Sequence, residues 1–185
     1  MLTLSTASVA TATALPIDQN EGLSLFQMGN ISMEPTIKEN EIMLVLVTPK
    51  PEIKRNDIVV FKNPSTKDRV PLVKRIIGLP HERIELKNGE VIVFNQEHPE
   101  GLTLQEPYLS QQSQHHTASY GFTTFEIPDN AYFALGDDRL RSSDSRTCFA
   151  TSINDAELCK EGKLPFILPA QNIVGKVIGK VQILL

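Results

Sequence analysis

Short runs of apolar and β-branched residues recur along the chain with turn-forming residues between them, whereas helical periodicity is hard to find. Runs of this length and composition are typical of β-strands. The predicted strands are 41–47, 57–61, 70–77, 83–86, 90–94, 122–127 and 131–135. The pattern therefore predicts a mostly β fold.

Two further features refine this prediction. Asn88-Gly89 separates the runs 83–86 and 90–94, and this dipeptide suits a tight hairpin turn because both central residues need positive φ. The last run, 172–185, contains Gly175 and Gly179 within a Val- and Ile-rich stretch. Glycine inside a strand indicates a bend or the close approach of another backbone. We expect this strand to close the sheet.

The domain organisation follows from what lies outside these runs. Residues 1–16 are small and Thr-rich and lack the basic and apolar regions of a signal peptide. We expect residues 1–27 to be a leader or linker, poorly ordered or the remnant of a lost membrane anchor, and residues 28–185 to be the domain. The polar stretches 96–120 and 147–169 are predicted to be loop-rich insertions.

Composition narrows the function classes. The chain has 185 residues with 18 Lys plus Arg against 22 Asp plus Glu, a net charge of −4, so nucleic acid is not an expected partner. No stretch is apolar enough to cross a bilayer. Cys148 and Cys159 lie close together in sequence, which allows either one disulfide or two thiols. The four His and two Cys show no spacing typical of a metal site.

Two segments carry the chemistry of a nucleophile and its base. Ser32 lies in 29–36, before a Pro-containing turn, where a structural role as a cap or turn former is the alternative. Lys74 lies in the run 70–77, and strand alternation places it on one face with Leu72 and Ile76. An ammonium in apolar surroundings loses its proton more readily, so Lys74 is a candidate general base for Ser32. The alternative is a lysine whose head reaches water.

A third segment, 135–146, follows an apolar strand and is densely charged. It is either a solvated loop with salt bridges or part of the site. In the second case, the hydroxyl of Ser142 can hold a catalytic amine in line, and Asp144 with Arg146 can fix the loop that carries it.

These segments, in this order, resemble the type I signal peptidases, which are membrane-bound serine endopeptidases that remove signal peptides from exported proteins. The resemblance extends over residues 28–176. Its boxes are Ser-Met-x-Pro at 32–35, Lys-Arg-x-Ile-Gly at 74–78, Gly-Asp-x-Arg with Ser-x-Asp-Ser-Arg within 136–146, and Ile-Val-Gly-Lys at 173–176. The resemblance implies a coiled, barrel-like catalytic β-domain that rests on the membrane surface and binds an extended signal peptide.

The resemblance also assigns roles to residues. It implies that Ser32 is the nucleophile, that Lys74 is the general base and that Ser142 orients Lys74. Asp144, Arg146 and Arg139 would support the loop. Small substrate residues at positions −1 and −3 would fill shallow apolar pockets, and the candidates to line these pockets are Ile31, Met33, Leu72 and Ile76, although Met33 is equally suited to the core.

The chain departs from the family pattern at several positions. Asn30 stands where Ser or Gly is common; its amide is a candidate oxyanion donor together with the Ser32 N–H, or else a turn former. Asp138, Leu140 and Arg141 replace the usual Asn, Asp and Asn, which places the loop conformation in more doubt than the activity. The family carries one or two transmembrane helices before the nucleophile, whereas residues 23–28 form only a short apolar stretch.

The predicted function is therefore cleavage of secretory preproteins after small-x-small sites by a Ser-Lys dyad, with no cofactor and no metal. The resemblance implies action outside the cytoplasmic membrane, where a disulfide is expected to be stable. Alternatives are a maturation peptidase for one exported substrate such as a pilin, a self-cleaving domain like those of SOS repressors, and a pseudoprotease that binds signal-like peptides. A Ser-His site using His115 or His116 is less favoured because adjacent His in a polar loop are usually solvated.

Overall fold

The structure, a computed structural model, describes residues 12–14, 22–48, 51–66, 71–118 and 120–181, with only the backbone described at 12–14. A single α-helix, α1, spans Ile153–Lys160 within these ranges, and short 3₁₀ turns span Ser145–Thr147 and Ala170–Asn172. The strands are β1 Ala12–Ala14, β2 Gly22–Met28, β3 Ile42–Val47, β4 Ile58–Lys62, β5 Pro71–Gly78, β6 Arg83–Lys87, β7 Glu90–Phe94, β8 Leu102–Thr103, β9 Thr124–Glu126, β10 Ala131–Leu135, β11 Leu168–Pro169 and β12 Ile173–Val181.

The mostly β prediction is confirmed, and the strands form two sheets. The larger sheet has the order β1-β2-β3-β12-β4-β5-β10-β11, and the smaller has the order β8-β7-β6-β9. All of these pairings are antiparallel. Every strand predicted from alternation is present, with bounds that differ by a few residues. Val70 and residues 182–185, which belonged to predicted strands, lie outside the described residues.

The β5 strand lies deep in the larger sheet. It pairs with β4 on one side and with β10 on the other, and the side chains from Leu72 to Ile77 are all buried. Strand alternation predicted one apolar face for β5, but both of its faces are covered. Leu72 and Ile76 join one hydrophobic core, while Ile77 joins a second core between the sheets. Lys74 is therefore enclosed by the fold.

The hairpin prediction is confirmed. The β6 and β7 strands pair antiparallel with Lys87 opposite Glu90, and Asn88 and Gly89 have φ of 53° and 79°. Positive φ at both central residues is the requirement of the twist-matched two-residue turn. The Asn-Gly dipeptide thus determines the register of this pair.

The last strand, β12, lies inside the larger sheet, between β3 and β4. Its pairing shifts near both glycines, as expected for a strand that bends. A Cβ at Gly175 would lie 2.5 Å from the carbonyl oxygen of Leu46, so another backbone does approach closely there.

Two regions differ from expectation. Within the predicted leader, β2 is a seven-residue strand of the larger sheet and crosses the expected boundary at residue 28. Residues 1–11 and 15–21 lie outside the described residues, so the division into leader and domain stays a prediction. The stretch 147–169 contains α1, which sequence periodicity did not predict; its Ser152 cap accepts from the Asp155 N–H, and Ile153 is exposed. That both stretches are insertions also stays a prediction.

Cys148 and Cys159 form a disulfide that joins α1 to the turn after the 3₁₀ segment. Within the described ranges, no helix has the length and apolar content needed to cross a membrane.

Candidate active site

Ser32 lies in the turn that follows β2. Its backbone N–H donates to Asn30 Oδ1 at 3.0 Å, which is the hydrogen bond of an Asx turn. Its carbonyl oxygen accepts from the Asp138 N–H at 3.0 Å. Ser32 has no solvent exposure. One local hydrogen bond, to Asn30, and one from the distant Asp138 therefore fix the backbone of Ser32 on both sides of its side chain.

Lys74 contacts this hydroxyl directly. Lys74 Nζ lies 2.9 Å from Ser32 Oγ and 2.9 Å from the carbonyl oxygen of Val73. The side chain is fully buried, and this burial lowers the pKa of Lys74 to about 7, against an upward pull from Asp144 and Asp137. Near neutral pH a large fraction of the amine is unprotonated, so it can accept a proton from Ser32.

The charges near Lys74 are already paired with arginines. Asp144 accepts two hydrogen bonds from the Arg146 guanidinium, at 2.9 and 2.8 Å, and Asp137 accepts two from the Arg75 guanidinium, at 2.9 and 2.6 Å. Burial disfavours the charged form of Asp144, but Arg146 outweighs it and lowers the pKa of this carboxyl. Each carboxylate thus has its own arginine, and burial, together with the charge of Arg146, outweighs the upward pull of Asp144 and Asp137 on the pKa of Lys74.

Ser142 lies beside the Ser-Lys pair without bonding to it. A Cβ at Gly136 would lie 2.1 Å from Ser142 Oγ and 2.6 Å from the carbonyl oxygen of Ser32, so both residues pack against this glycine. Ser142 Oγ is buried and has no hydrogen-bond partner among the described residues. An orienting bond from Ser142 to Lys74 is therefore not made in this conformation, and that role stays a prediction.

Arg139 anchors the same loop to a distant segment. Its guanidinium donates to both oxygens of Glu106, at 3.0 and 2.6 Å, and to Thr117 Oγ1 at 2.6 Å. Its Nε donates to the carbonyl oxygen of Gly136 at 3.0 Å. Glu106 and Thr117 were not predicted from the sequence, because nothing in a polar loop marks one acidic or hydroxyl residue as the partner of a buried arginine.

The candidate pocket residues are placed unequally. Ile31 is half-buried, whereas Met33, Leu72 and Ile76 belong to the hydrophobic core and have almost no exposed surface. In this conformation, Ile31 is the member of the set that a ligand can reach. The role of all four in lining a substrate pocket stays a prediction.

No group of three or more His, Cys, Asp or Glu side chains within the described ranges is placed to hold a metal ion. His115 and His116 are exposed and lie in the polar loop, where His115 Nδ1 faces Glu90 at 3.2 Å.

A buried serine hydroxyl in contact with a buried, partly neutral lysine defines a candidate serine hydrolase site on a β-sheet scaffold. A family model described as signal peptidase, peptidase S26, matches residues 7–181. The chain belongs to this family.

Individual relatives agree with the family match. The chain is 38% identical over 125 residues to signal peptidase I S of Bacillus subtilis strain 168, which covers 62% of this chain and 61% of that protein. It is 34% identical over 122 residues to a signal peptidase I of Bacillus amyloliquefaciens, covering 62% of this chain and 60% of that one. The chain thus spans about three fifths of the length of these curated relatives. A signal peptidase I structure from Enterococcus faecalis V583 aligns with a TM-score of 0.45 at 23% identity, covering 69% of this chain and 98% of that one.

Proposed function

We propose that this protein is a serine endopeptidase that cleaves signal peptides from exported preproteins after small-x-small sites, using Ser32 as nucleophile and Lys74 as general base. The observation that carries the proposal is the 2.9 Å contact between Lys74 Nζ and Ser32 Oγ in full burial. Membership of the signal peptidase family supports the choice of substrate.

The proposed reaction begins with the unprotonated amine of Lys74. It takes the proton of Ser32 Oγ, and the oxygen attacks the carbonyl carbon of the −1 residue. The tetrahedral intermediate collapses, the peptide C–N bond breaks, and Lys74 returns the proton to the leaving amine. A water molecule then gives a proton to Lys74 and attacks the acyl group. The ester C–O bond breaks, Lys74 returns the proton to Ser32 Oγ, and the signal peptide leaves as a carboxylate after losing its proton to solvent.

Stabilisation of the oxyanion needs a donor near Ser32. The Ser32 N–H is adjacent to the nucleophile, but here it donates to Asn30 Oδ1. In the proposed mechanism, this hydrogen bond opens when a substrate carbonyl arrives. Asn30 then has two roles: it holds the turn in the free protein and provides its amide in the complex.

The experiment is cleavage of a panel of signal-sequence peptides with Ala-x-Ala sites. Wild type is expected to cut at those sites, whereas Ser32→Ala and Lys74→Ala are expected to lose at least a hundredfold in kcat/KM. Lys62→Ala is the matched control, since Lys62 is an exposed lysine on the neighbouring strand β4. Cleavage by Ser32→Ala at the wild-type rate would refute the assignment.

We further propose that the protein acts at the extracytoplasmic face of the cytoplasmic membrane and rests on its surface. The support is a group of exposed apolar side chains on β2, β3 and β12, where Lys176 is the cross-strand partner of Leu46. Leu23 pairs with Leu46 across β2 and β3, and these two side chains and Ile178 are 57%, 38% and 49% exposed. Exposed apolar patches of this kind mark contact surfaces. The Cys148–Cys159 disulfide supports an oxidising location.

Vesicle sedimentation tests the membrane contact. Leu23→Asp is expected to weaken binding to phosphatidylglycerol vesicles, because a carboxylate within this apolar group disfavours the interface. Ile153→Asp is the control, since Ile153 is 79% exposed and lies on the helix α1 rather than on β2, β3 or β12. Equal losses in the two variants would contradict a specific role for this group.

A further inference from the structure

A short strand from the chain's own amino-terminal region pairs with the strand that leads to the nucleophile. The β1 strand, Ala12–Ala14, pairs antiparallel with β2, with Ala12 opposite Met28 and Ala14 opposite Phe26. The β2 strand pairs with β3 along its other side. The backbone edge of β2 that would otherwise accept an extended peptide is therefore occupied by β1.

The same short strand also approaches the strand that carries the base. Cα atoms of β1 and β5 lie within 8 Å of each other, although β5 is not its hydrogen-bonded neighbour in the sheet order. Since Ser32 follows β2 and Lys74 lies on β5, β1 lies between the two strands that supply the reacting groups. Ser32 and Lys74 are both fully buried, whereas an endopeptidase must admit a polypeptide to these atoms.

The sequence of the strand matches the substrate chemistry of the proposed function. Ala12-Thr13-Ala14 is a small-x-small tripeptide, and Ala10-Thr11-Ala12 repeats the pattern, although Ala10 and Thr11 lie outside the described residues. A segment of this composition is suited to the backbone pairing and shallow pockets proposed for the −3 and −1 residues of a signal peptide.

The direction of the strand prevents its cleavage after Ala14. Ser32 lies four residues beyond Met28 in the chain, and the antiparallel pairing from Ala12 to Ala14 runs back along β2 towards Phe26. The carbonyl of Ala14 is thus at the end of β1 that is farther from Ser32 along the β2 register. The strand fills the edge without presenting this scissile bond to the nucleophile.

We propose that residues 12–14 form an internal pseudosubstrate, which occupies the β2 edge in the reversed direction and must detach before a signal peptide binds. This inference rests on the proposed function. A substrate competes with an intramolecular strand, so its apparent affinity is reduced by the fraction of molecules in which β1 is paired.

The test is a double proline substitution in the full chain, Thr13→Pro with Ala14→Pro. Successive N–H groups of a strand point to opposite edges, so one of the two prolines removes a donor that faces β2. With a fluorogenic Ala-x-Ala signal peptide, the variant is expected to show a KM about tenfold lower than wild type at unchanged kcat. An unchanged KM would overturn the inference.

The control is the same dipeptide change seven positions earlier, Thr6→Pro with Ala7→Pro, which is expected to leave KM at the wild-type value. A synthetic peptide of residues 8–16, added to the Thr13/Ala14 variant, is expected to raise KM again as a competitive inhibitor. If the peptide does not compete, β1 is not a ligand of this edge and the inference fails.

Binding without chemistry separates this inference from the proposed function. In a Ser32→Ala background, calorimetry with the signal peptide is expected to show about tenfold tighter binding when both prolines are present. Tighter binding with no cleavage by the Ser32 proteins would retain the inference and refute the proposed function. Equal affinity, or no binding to either form, would overturn the inference.

Discussion

At the scale of single residues, the burial of Lys74 is the feature of the site that costs the most folding free energy. A lysine in an apolar interior favours its neutral form, and the strands on both sides of β5 exclude water from this one. The amine contacts two oxygens, those of Ser32 and Val73. These contacts hold the amine in place, whereas burial lowers its pKa and so allows it to act as a base.

The first prediction concerns stability. The folded pKa of Lys74 is about 7 and its reference value is 10.5, so the unfolded chain binds more protons between these pH values, and stability due to Lys74 rises with pH across this window. Lys74→Met removes the buried charge. At pH 6 it is expected to raise the free energy of unfolding by about 1–3 kcal/mol, and this advantage should shrink towards pH 10.

Urea denaturation at pH 6, 8 and 10 measures this difference. Lys62→Met, at an exposed lysine, is expected to change stability by less than about 0.5 kcal/mol at each pH. A Lys74→Met protein that is less stable than wild type at pH 6 would show that the ammonium stabilises the fold.

The residue-scale roles were only partly accessible from sequence. The resemblance of the ordered boxes connected Ser32 with Lys74, whereas strand alternation alone placed Lys74 on an apolar face and left a lysine that reaches water as the alternative. The bond from the Ser32 N–H to Asn30 was one of two open alternatives, since an Asn before a turn is suited to both. Glu106 carries no sequence signal at all, because its partner Arg139 is 33 residues away and only tertiary packing joins them.

At the scale of elements, the loop after β10 connects the parts of the site. It begins at Gly136, whose backbone N–H donates to the Asp144 carboxylate at 3.1 Å, and the backbone N–H of Asp138 donates to the Ser32 carbonyl. A displacement of this loop would therefore also displace the backbone of Ser32.

A methyl group at Gly136 is expected to disturb this contact. The added Cβ would meet Ser142 Oγ and the Ser32 carbonyl at distances below 3 Å, so the loop or the turn of Ser32 must shift. Gly136→Ala is expected to lower kcat/KM in the peptide assay by about tenfold to a hundredfold. Gly179→Ala, which meets no atom within 4 Å, is the control, and similar activities in both variants would contradict the account.

The pair between Arg139 and Glu106 fixes the loop from its outer side. Burial disfavours the charged guanidinium, but Glu106 outweighs it and raises the pKa of Arg139. Glu106→Gln leaves this buried cation without its counter-charge and is expected to lower the free energy of unfolding by about 2–4 kcal/mol. Glu157→Gln, in an exposed pair with Lys160, is expected to cost less than about 1 kcal/mol; equal costs in thermal unfolding would refute the difference.

The secondary-structure elements differ in how far their local sequence determines them. Strands with apolar alternation or an Asn-Gly turn were predicted, because their signal lies within a few residues. The helix α1 was missed because it is short and Ile153 points to solvent, so no apolar face repeats. The pairing of β1 with β2 was missed because small and Thr-rich residues gain their structure from a partner strand.

At the scale of the whole molecule, the disulfide joins α1 to the turn next to the charged loop. Cys148 and Cys159 are separated by 11 positions, and closing a loop of this length in the unfolded chain corresponds to about 3 kcal/mol. Replacing both cysteines by serine is expected to lower the free energy of unfolding by this amount. Reductant should destabilise wild type and leave the double variant unchanged; insensitivity of wild type would contradict the pairing.

Lys74 is buried because strand β5 is covered on both faces. The carboxylates nearest to it are paired with arginines. The order of the strands was not accessible from sequence, since β12 joins β3 to β4 across more than a hundred residues of chain. The position of β12 between β3 and β4 completes the larger sheet, to which β5 belongs. The burial of Lys74 depends on this tertiary arrangement.

Direct titration of Lys74 tests this account most sharply. In protein labelled with ¹³C at the lysine ε-carbons, one resonance is expected to titrate with a midpoint near pH 7 and to be absent from Lys74→Met. If the Lys74 resonance instead titrates near the reference value of 10.5, the amine is charged at neutral pH and cannot serve as the base for Ser32.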